Sequence, residues 1–267
     1  TLTMTGTSGA QQMPSLTLSG GTLIPAYGCG TMWQAVMLFG DVAVTGSVPS
    51  VIRAGAGPYN GINLTSASAP DGSLRAFRVD DVTGDTNVDL TVSANLWNRT
   101  GNLAYRSGLL KTGAGTLLLS APANMYNGAT IVSNGTLLVC GAGGITGSVV
   151  TVVSGATFGA AGTNVARVAG LTLNEGAKLV WAYDGDARKA GRIDVLGTLA
   201  LPATATLDIG GAGFLYSNQT LLSAAALSGA TDLSGWTITG APRASRAIIV
   251  GNAVKLLVNR GTAIKIQ

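Results

Sequence analysis

Short apolar runs alternate along the chain with glycine and small polar residues, and this pattern returns at a nearly constant interval. Five segments open with a glycine and continue with strand-forming residues; they are Gly115–Leu119, Gly135–Val139, Gly155–Gly159, Gly176–Val180 and Gly197–Leu201. The interval from each of these glycines to the next hardly changes along the series. A fixed period of about 20 to 50 residues indicates a repeat architecture.

A period of about 20 residues has a direct geometric meaning for extended chain. That many extended residues trace roughly 66 Å, which is enough for one closed circuit with three sides. Each circuit then pairs with the next, strand above like strand, at about 4.8 Å. Alternation within each strand directs residues such as Leu117 and Leu137 inward. The pattern predicts an all-β fold, a parallel β-helix (solenoid) with rungs of about 20 residues, whose five repeat glycines stack along one edge.

The repeat is less regular in the first hundred residues, although Gly21–Ile24 and Gly72–Leu74 follow the same pattern. Strands are predicted at Val42–Thr45, Ile62–Thr65, Leu74–Val79 and Val88–Ser93, and loops at Ile24–Gln34 and Leu96–Ser107. No proline-rich or serine-rich linker separates two domains. We therefore expect irregular N-terminal rungs with loops over residues 1–107, and regular rungs over 108–267 that are continuous with them.

Composition supports strands over helices. Charged residues make up 10% of the chain, against about 25% in an average soluble domain, and glycine occurs 39 times. Threonine, serine and asparagine must supply the polar surface, and they suit pleated strands joined by tight turns. No apolar stretch approaches the ~18 residues of a membrane span. Because the chain opens in strand-like sequence without Met or a signal peptide, we expect a processed product or a piece of a longer protein.

The two cysteines, Cys29 and Cys140, do not form a disulfide framework for a chain of this length. At the observed period they are separated by several rungs. A disulfide needs Cα atoms within about 7 Å, so no bridge between them is predicted.

The chain has no histidine, which excludes Ser/His/Asp and Cys/His catalysis and the commonest zinc sites. Two acidic clusters remain, and their members are Asp80, Asp81, Asp85 and Asp89 in the first and Asp184, Asp186 and Asp194 in the second. Paired carboxylates can serve glycoside hydrolysis or Ca²⁺ binding, but aspartates also cap turns, as Asp184 before Gly185 is placed to do. Arg188, Lys189 and Arg192 can pair with the second cluster. Turn formation is favoured, and no catalytic, cofactor-binding or metal-binding residue is predicted.

Several other residues have both a functional and a structural interpretation. Lys111 is expected on a solvent face, where lysine discourages unwanted strand pairing. Asn124 and Asn134 are expected to hydrogen-bond turns or stack with asparagines of neighbouring rungs. Asn-x-Thr sequons occur at Asn63, Asn98, Asn134 and Asn218, as chance predicts in a threonine-rich chain. Trp33, Trp97, Trp181 and Trp236 are irregularly spaced, which favours packing at loops and corners over a sugar-stacking row.

One segment resembles a known repeat family. The run Gly108–Ser120, followed by Asn124–Thr130 and Asn134–Val139, reads as Leu-x-Lys-x-Gly-x-Gly-x-Leu-x-Leu, then Asn-x-Tyr-x-Gly-x-Thr, then Gly-x-Leu. Three sub-motifs in this order resemble the autotransporter-associated β-strand repeat. The resemblance covers the segment from Gly108 to Val139. It implies a right-handed parallel β-helix that is exported through the outer membrane of a Gram-negative-type bacterium.

These features favour a non-enzymatic, secreted structural segment at the bacterial cell surface or outside the cell, serving as a stalk, scaffold or fibre subunit. The alternative is an adhesin or carbohydrate-binding passenger with specificity in loops such as Ile24–Gln34 or Tyr183–Gly191. A β-helix polysaccharide-degrading enzyme is the weakest reading, because it needs converging acids in a groove.

The termini and the charge suggest partners. Strand-like sequence at Thr1–Thr5, Arg246–Val250, Ala253–Val258 and Thr262–Ile266, without a capping helix, predicts head-to-tail or lateral self-association. The net charge is +4, and Ala241–Gln267 carries five basic residues and no acid, which suits an anionic cell-surface polysaccharide. Nucleic acid is not expected, because no basic cluster is interleaved with aromatic residues.

Overall fold

The structure is a computed structural model that describes residues 1–5, 9–30, 33–65, 72–98, 106–140, 144–212 and 217–259. Within these ranges it contains 26 β-strands and no helix. The strands of the first half are β1 (Leu2–Thr5), β2 (Gln11–Met13), β3 (Leu16–Leu18), β4 (Thr22–Ala26), β5 (Val36–Leu38), β6 (Val42–Val44), β7 (Ser50–Ile52), β8 (Ile62–Asn63), β9 (Leu74–Val79), β10 (Leu90–Val92), β11 (Leu96–Trp97), β12 (Gly108–Thr112) and β13 (Thr116–Leu119). Those of the second half are β14 (Thr130–Val132), β15 (Thr136–Val139), β16 (Ile145–Val152), β17 (Thr157–Ala160), β18 (Val165–Leu173), β19 (Ala177–Asp184), β20 (Lys189–Ala190), β21 (Arg192–Leu201), β22 (Ala205–Ala212), β23 (Gln219–Gly229), β24 (Thr237–Thr239), β25 (Arg246–Val250) and β26 (Ala253–Leu257).

The strands stack into three sheets, as in a parallel β-helix. The first sheet runs β1-β4-β7-β10-β13-β15-β17-β19-β22-β24, with β20 attached to β19. The second sheet is short, β2-β5-β8-β11, and the third runs β3-β6-β9-β12-β14-β16-β18-β21-β23-β26-β25. All pairings are parallel except those of β20 with β19 and of β26 with β23 and β25. The predicted fold class is confirmed.

Rungs change shape along the stack. Each early rung has one strand in each sheet, whereas from β13 onward the described residues contribute no strand to the second sheet. There, third-sheet strands grow to eight residues in β16 and ten in β21 and carry register shifts. Such irregularities bend a strand, so one bent strand covers two sides of the rung. Pairing of β12 with β9 and of β13 with β10 continues the sheets across residue 107.

Inward-facing residues stack into one apolar column after another. In the first sheet, aligned members of one column are Leu117, Leu137, Phe158, Leu179 and Leu207, and each is at most 1% exposed. Burying each of these side chains stabilises the fold by roughly 1.5–3 kcal/mol. The inward prediction for Leu117 and Leu137 is confirmed.

The glycine prediction is confirmed at four positions and wrong at the fifth. Gly115, Gly135, Gly155 and Gly176 lie at one corner, one or two residues before the first-sheet strands β13, β15, β17 and β19. Gly197 instead lies within β21 of the third sheet. The hairpin of β19 with β20, together with β21, lengthens that rung, so that Lys178 aligns with Thr206, well beyond one ordinary period. The spacing that leads to Gly197 therefore matched the period by coincidence.

The early strand predictions are confirmed to within two residues at each end by β6, β8, β9 and β10. Both predicted loops are wrong at their starts, because Ile24–Ala26 belongs to β4 and Leu96–Trp97 forms β11. Residues 31–32 and 99–105 of those loops lie outside the described residues. Leu96 aligns with Ile62 in the stack, so tertiary pairing overrides the irregular local pattern.

The C-terminal strands add a hairpin in place of a further parallel rung. The predictions for Arg246–Val250 and Ala253–Val258 are confirmed by β25 and β26. These two strands form an antiparallel hairpin with a turn at Gly251, and β26 pairs antiparallel with β23. The predicted strand at Thr262–Ile266 lies outside the described residues.

Both cysteines carry free thiols, as predicted. Cys29 follows β4 and Cys140 follows β15, four first-sheet strands further along, or about 19 Å along the axis. A thiol assay on unfolded, unreduced protein should count two thiols per chain. In the folded protein the exposed Cys29 should react first, because Cys140 is less exposed and burial raises the pKa of its thiol. A single reactive class containing both thiols would contradict this arrangement.

Candidate functional site

The first acidic cluster organises a turn. Asp89 is fully buried, and one of its carboxylate oxygens accepts hydrogen bonds from the backbone N–H groups of Val82 and Thr83 and from the Thr83 hydroxyl, each at 2.9 Å. The other oxygen accepts from the backbone N–H of Thr116 in the next rung at 2.7 Å. Asp89 therefore shapes the loop that precedes β10 and ties it to β13.

The other members of this cluster act locally and lie nearer the surface. Asp81 accepts from the backbone N–H of Gly84 at 2.8 Å, and Asp85 binds both the backbone and the side-chain nitrogen of Asn87 at 2.7 Å. Asp80 forms an ion pair with Arg78 at 3.1 Å. The turn-forming prediction is confirmed for Asp81, Asp85 and Asp89.

The second cluster also forms turns and pairs. Asp184 accepts from the backbone N–H groups of Asp186 and Ala187, both at 2.9 Å, as predicted. Arg192 pairs with Asp194 at 2.7 Å, and the hydroxyl of Ser223 donates to the same carboxylate. Across the described ranges, Arg188 and Lys189 form no ion pair with these acids. Nor do those ranges contain three or more histidine, cysteine or acidic side chains placed to hold one metal ion.

The prediction that Lys111 lies on a solvent face is wrong. It lies inside the solenoid, is fully buried, and its Nζ donates to the carbonyl oxygens of Thr112 at 2.8 Å, Gly113 at 2.8 Å and Asn134 at 3.1 Å. Those carbonyls belong to the corner of its own rung and of the next. The reason is that side chains alternate between the two faces of a strand. Lys111 is two residues from the buried Leu109 and therefore lies on the same, inward face.

Electrostatics fit this position. Burial lowers the pKa of the Lys111 ammonium to about 8, while Asp89 and Asp80 act to raise it. At this corner Lys111 therefore donates to backbone carbonyl groups, and Asp89 accepts from backbone N–H groups.

Arg75 is an inward cation that the residue pattern alone did not single out. Its Nε donates to the carbonyl oxygens of Leu38 at 3.1 Å and Leu64 at 2.9 Å, and burial lowers the pKa of the guanidinium. It shares strand parity with the buried Phe77 and Val79. That parity was the signal that could have revealed it.

The asparagine motif forms contacts between rungs. Asn124 is buried, accepts from the backbone N–H of Leu96 at 3.0 Å and donates to the carbonyl oxygen of Gly144 at 3.3 Å. Asn134 accepts from the backbone N–H of Gly135 at 2.8 Å. The predicted turn hydrogen bond is confirmed for Asn134, whereas Asn124 bonds backbone groups of the neighbouring rungs.

Tyr126 and Thr130 continue this motif inside the core. The Tyr126 hydroxyl lies 2.7 Å from the Thr130 hydroxyl, which lies 2.7 Å from that of Ser148 one rung later. Ser148 closes the network by donating to the carbonyl oxygen of Gly128 at 2.6 Å. Every hydroxyl group of this buried network therefore has a hydrogen-bond partner.

The sequons and tryptophans are mainly structural. Asn63 and Asn98 are buried, whereas Asn134 and Asn218 are exposed. Trp181 lies in the core within β19, and Trp236 donates from its indole nitrogen to the carbonyl oxygen of Pro202 at 3.1 Å. Trp33 and Trp97 are half-buried. Packing is confirmed for Trp181 and Trp236, although Trp181 packs within a strand and not at a corner.

An open groove of about 490 Å³ lies on the outer face of the first sheet. We call it the outer groove; its lining is Thr86, Thr116, Thr136, Leu138, Thr157, Ala160, Ala161, Gly162, Lys178, Leu179, Val180, Ala182, Thr206, Asp208 and Thr239. The lining includes Thr86, in the loop shaped by Asp89, and Ala161 and Gly162, which follow β17. The groove therefore crosses the strands from β13 to β24.

The fold and these contacts define a solenoid of stacked repeats, a parallel β-helix. Residues 109–139 match the family model described as the passenger-associated-transport-repeat, which confirms the resemblance for that segment and supports an autotransporter passenger. No curated protein matches the chain significantly. Among the described residues, no helix is long and apolar enough to span a membrane.

The matched segment coincides with inward-facing structure. Its motif positions are Leu109, Lys111, Gly113, Gly115, Leu117, Leu119, Asn124, Tyr126, Gly128, Thr130, Gly135 and Leu137. Apart from the corner residues Gly113 and Gly135, all of these are buried. The repeat signature therefore specifies the interior and the corners, and it leaves the outer face free to vary.

Proposed function

We propose that this chain is a non-catalytic passenger segment, a rigid scaffold displayed outside the cell or at the bacterial cell surface. The observation that carries this proposal is the position of the passenger repeat. It forms strands β12 to β15, in the middle of sheets that continue on both sides. Each rung contacts mainly its neighbours, so length is added without redesign of the core.

The chemistry of the side chains supports a non-catalytic role. The chain has no histidine, and the carboxylates of Asp80, Asp81, Asp85, Asp89, Asp184 and Asp194 are engaged in turns, ion pairs or contacts between rungs. A general acid or base needs a poised carboxyl that faces a substrate, and Asp89 faces the backbone.

Rung duplication tests the scaffold role. A second copy of residues 116–135 inserted after Gly135 adds one full period, because Thr116 aligns with Thr136 and Leu117 with Leu137. We expect a folded protein that is longer by about 4.8 Å in small-angle X-ray scattering. Duplication of residues 116–125 alone is the control, since half a rung breaks the register. Equal disruption by both insertions would contradict an extendable scaffold.

Location is tested separately on intact cells of the organism that encodes the chain. An antibody raised against the folded chain should label unpermeabilised cells, and external protease should remove the label. Label that appears only after permeabilisation would contradict surface display.

Self-association stays a prediction. Within the described residues the first sheet ends at β1 and β24, and the third ends at β3 and β25. Unpaired strand edges can template further strands. We propose head-to-tail stacking or lateral association at these edges. Sedimentation velocity over a concentration series should show species larger than the monomer.

A further inference from the structure

We propose that the outer groove binds a neutral, extended polysaccharide chain that lies along the solenoid axis. The groove crosses strands β13, β15, β17, β19, β22 and β24, a run of about 24 Å at the spacing of paired strands. A scaffold needs no such ligand, so this inference goes beyond the proposed function, and its failure would leave that function intact.

A column of hydroxyl groups forms one side of the groove. Thr116, Thr136 and Thr157 occupy equivalent positions on successive strands, and Thr206 continues the column beyond Lys178. The side-chain hydroxyls of Thr136, Thr157 and Thr206 make no hydrogen bond with the described residues. Each hydroxyl can both donate and accept. Those of Thr136 and Thr157 lie on neighbouring strands about 4.8 Å apart, and Lys178 lies between Thr157 and Thr206 in the column.

A second column supplies apolar contact. Leu138, Gly159, Val180 and Asp208 align two residues further along the same strands. Leu138 and Val180 are half-buried and line the groove together with Ala160 and Ala182. A sugar ring has hydroxyls at its edge and apolar C–H groups on its faces, and paired polar and aliphatic columns match both features.

The charge of the lining indicates a neutral ligand. Among the lining residues Lys178 is the only cation and Asp208 the only anion, and the Asp208 carboxylate accepts from the Thr239 hydroxyl at 2.7 Å. An anionic polymer would require several cations along its track. The groove therefore differs in chemistry from the basic stretch near the C-terminus.

An extended peptide fits this surface less well. Peptides that join a sheet use an unpaired strand edge, where main-chain groups provide the affinity. The strands beneath the groove from β15 to β22 are paired on both sides, so they offer only side chains. A ligand with many hydroxyls exploits that surface, whereas the main-chain groups of a peptide would find few partners.

The test uses cellohexaose and maltohexaose as neutral probes and dextran sulfate as the anionic comparison. Titration by calorimetry and NMR is expected to show saturable binding of at least one hexasaccharide by the wild-type chain. Thr136→Val with Thr157→Val removes two free hydroxyls and keeps side-chain shape. We expect this double variant to bind about tenfold more weakly, since two hydrogen bonds are lost.

A matched control exists on the third sheet. Thr151 and Thr172 are aligned neighbours on β16 and β18, and both are half-buried, but they do not line the groove. Thr151→Val with Thr172→Val should therefore leave binding unchanged. Circular dichroism and melting temperature should match for the two double variants.

Three results would overturn the proposal. The first is no saturable binding of either hexasaccharide at the highest soluble concentration. The second is equal weakening by the two double variants. The third is preferential, salt-sensitive binding of dextran sulfate, which would make the surface an anion site.

Discussion

Replacing Gly135 by alanine is expected to destabilise the protein by about 3 kcal/mol, several times the cost of the same change at Gly155. Both glycines lie at the same corner and both have positive φ, 65° at Gly135 and 78° at Gly155. A left-handed conformation costs an L-residue roughly 1–2 kcal/mol. That cost applies to both variants.

The two sites differ in the space around them. A Cβ atom at Gly135 would overlap the carbonyl oxygens of Gly113 and Gly115 in the rung below, whereas a Cβ atom at Gly155 would meet no atom within 4 Å. Backbone cannot swing aside as a side chain can, so Gly135→Ala must shift two rungs. Gly155→Ala should cost about 1 kcal/mol, because lost freedom in the unfolded chain offsets part of the strain.

Thermal and urea unfolding of the two variants, followed by circular dichroism, measure the difference. Equal destabilisation by Gly135→Ala and Gly155→Ala would mean that the corner at Gly113–Gly115 yields freely. The close stacking of rungs would then not be the reason for glycine at this position.

Periodicity revealed the stack because rung length and strand pairing are coupled. Where Thr116, Thr136 and Thr157 follow one another at nearly equal intervals, the sequence period and the pairing register agree. Beyond Lys178 the hairpin of β19 and β20 lengthens the rung. A hairpin is itself strand-like, so the pattern of apolar residues did not distinguish it from another rung.

The interior polar residues show a second limit of sequence reasoning. Lys111 and Arg75 have the side-chain type of an exposed residue and the strand parity of a buried one. Residue type prevailed in the prediction for Lys111, although the backbone carbonyls at its corner provide the partners that make burial tolerable. Parity would have been the better guide in a solenoid.

The outer groove could not be predicted from the sequence. Its lining combines Thr86 with Ala161 and Gly162, which lie several rungs apart along the chain. Only the register of the rungs brings them to one face. The predicted sites in loops Ile24–Gln34 and Tyr183–Gly191 share no residue with this groove.

Lys111→Met is expected to lower the free energy of unfolding by about 2 kcal/mol near neutral pH. Methionine fills similar space but leaves the carbonyl oxygens of Thr112, Gly113 and Asn134 without their shared donor. It also removes the positive charge that interacts with the buried Asp89. Lys189→Met, on an exposed hairpin, is the control and should change stability little. A Lys111→Met variant as stable as wild type would show that relief from burying the charge outweighs the lost hydrogen bonds.

The same lysine gives stability a distinctive pH dependence. The pKa of Lys111 is about 8 in the folded chain and about 10.4 when unfolded, so between these values the unfolded state binds more protons. Stability from this group therefore rises with pH, by about 1.5 kcal/mol between pH 8 and pH 9.5. Tyr126 opposes the rise only nearer pH 10, because burial raises its pKa and the unfolded tyrosine ionises first. Urea unfolding at pH 8 and pH 9.5 should show that the free energy of unfolding of wild type rises by that amount relative to Lys111→Met. The Lys189→Met variant should change with pH as wild type does. If the stability difference between wild type and Lys111→Met did not change with pH, the pKa of Lys111 in the folded chain would be the ordinary one. The three carbonyls and the two aspartates would then offset the effect of burial.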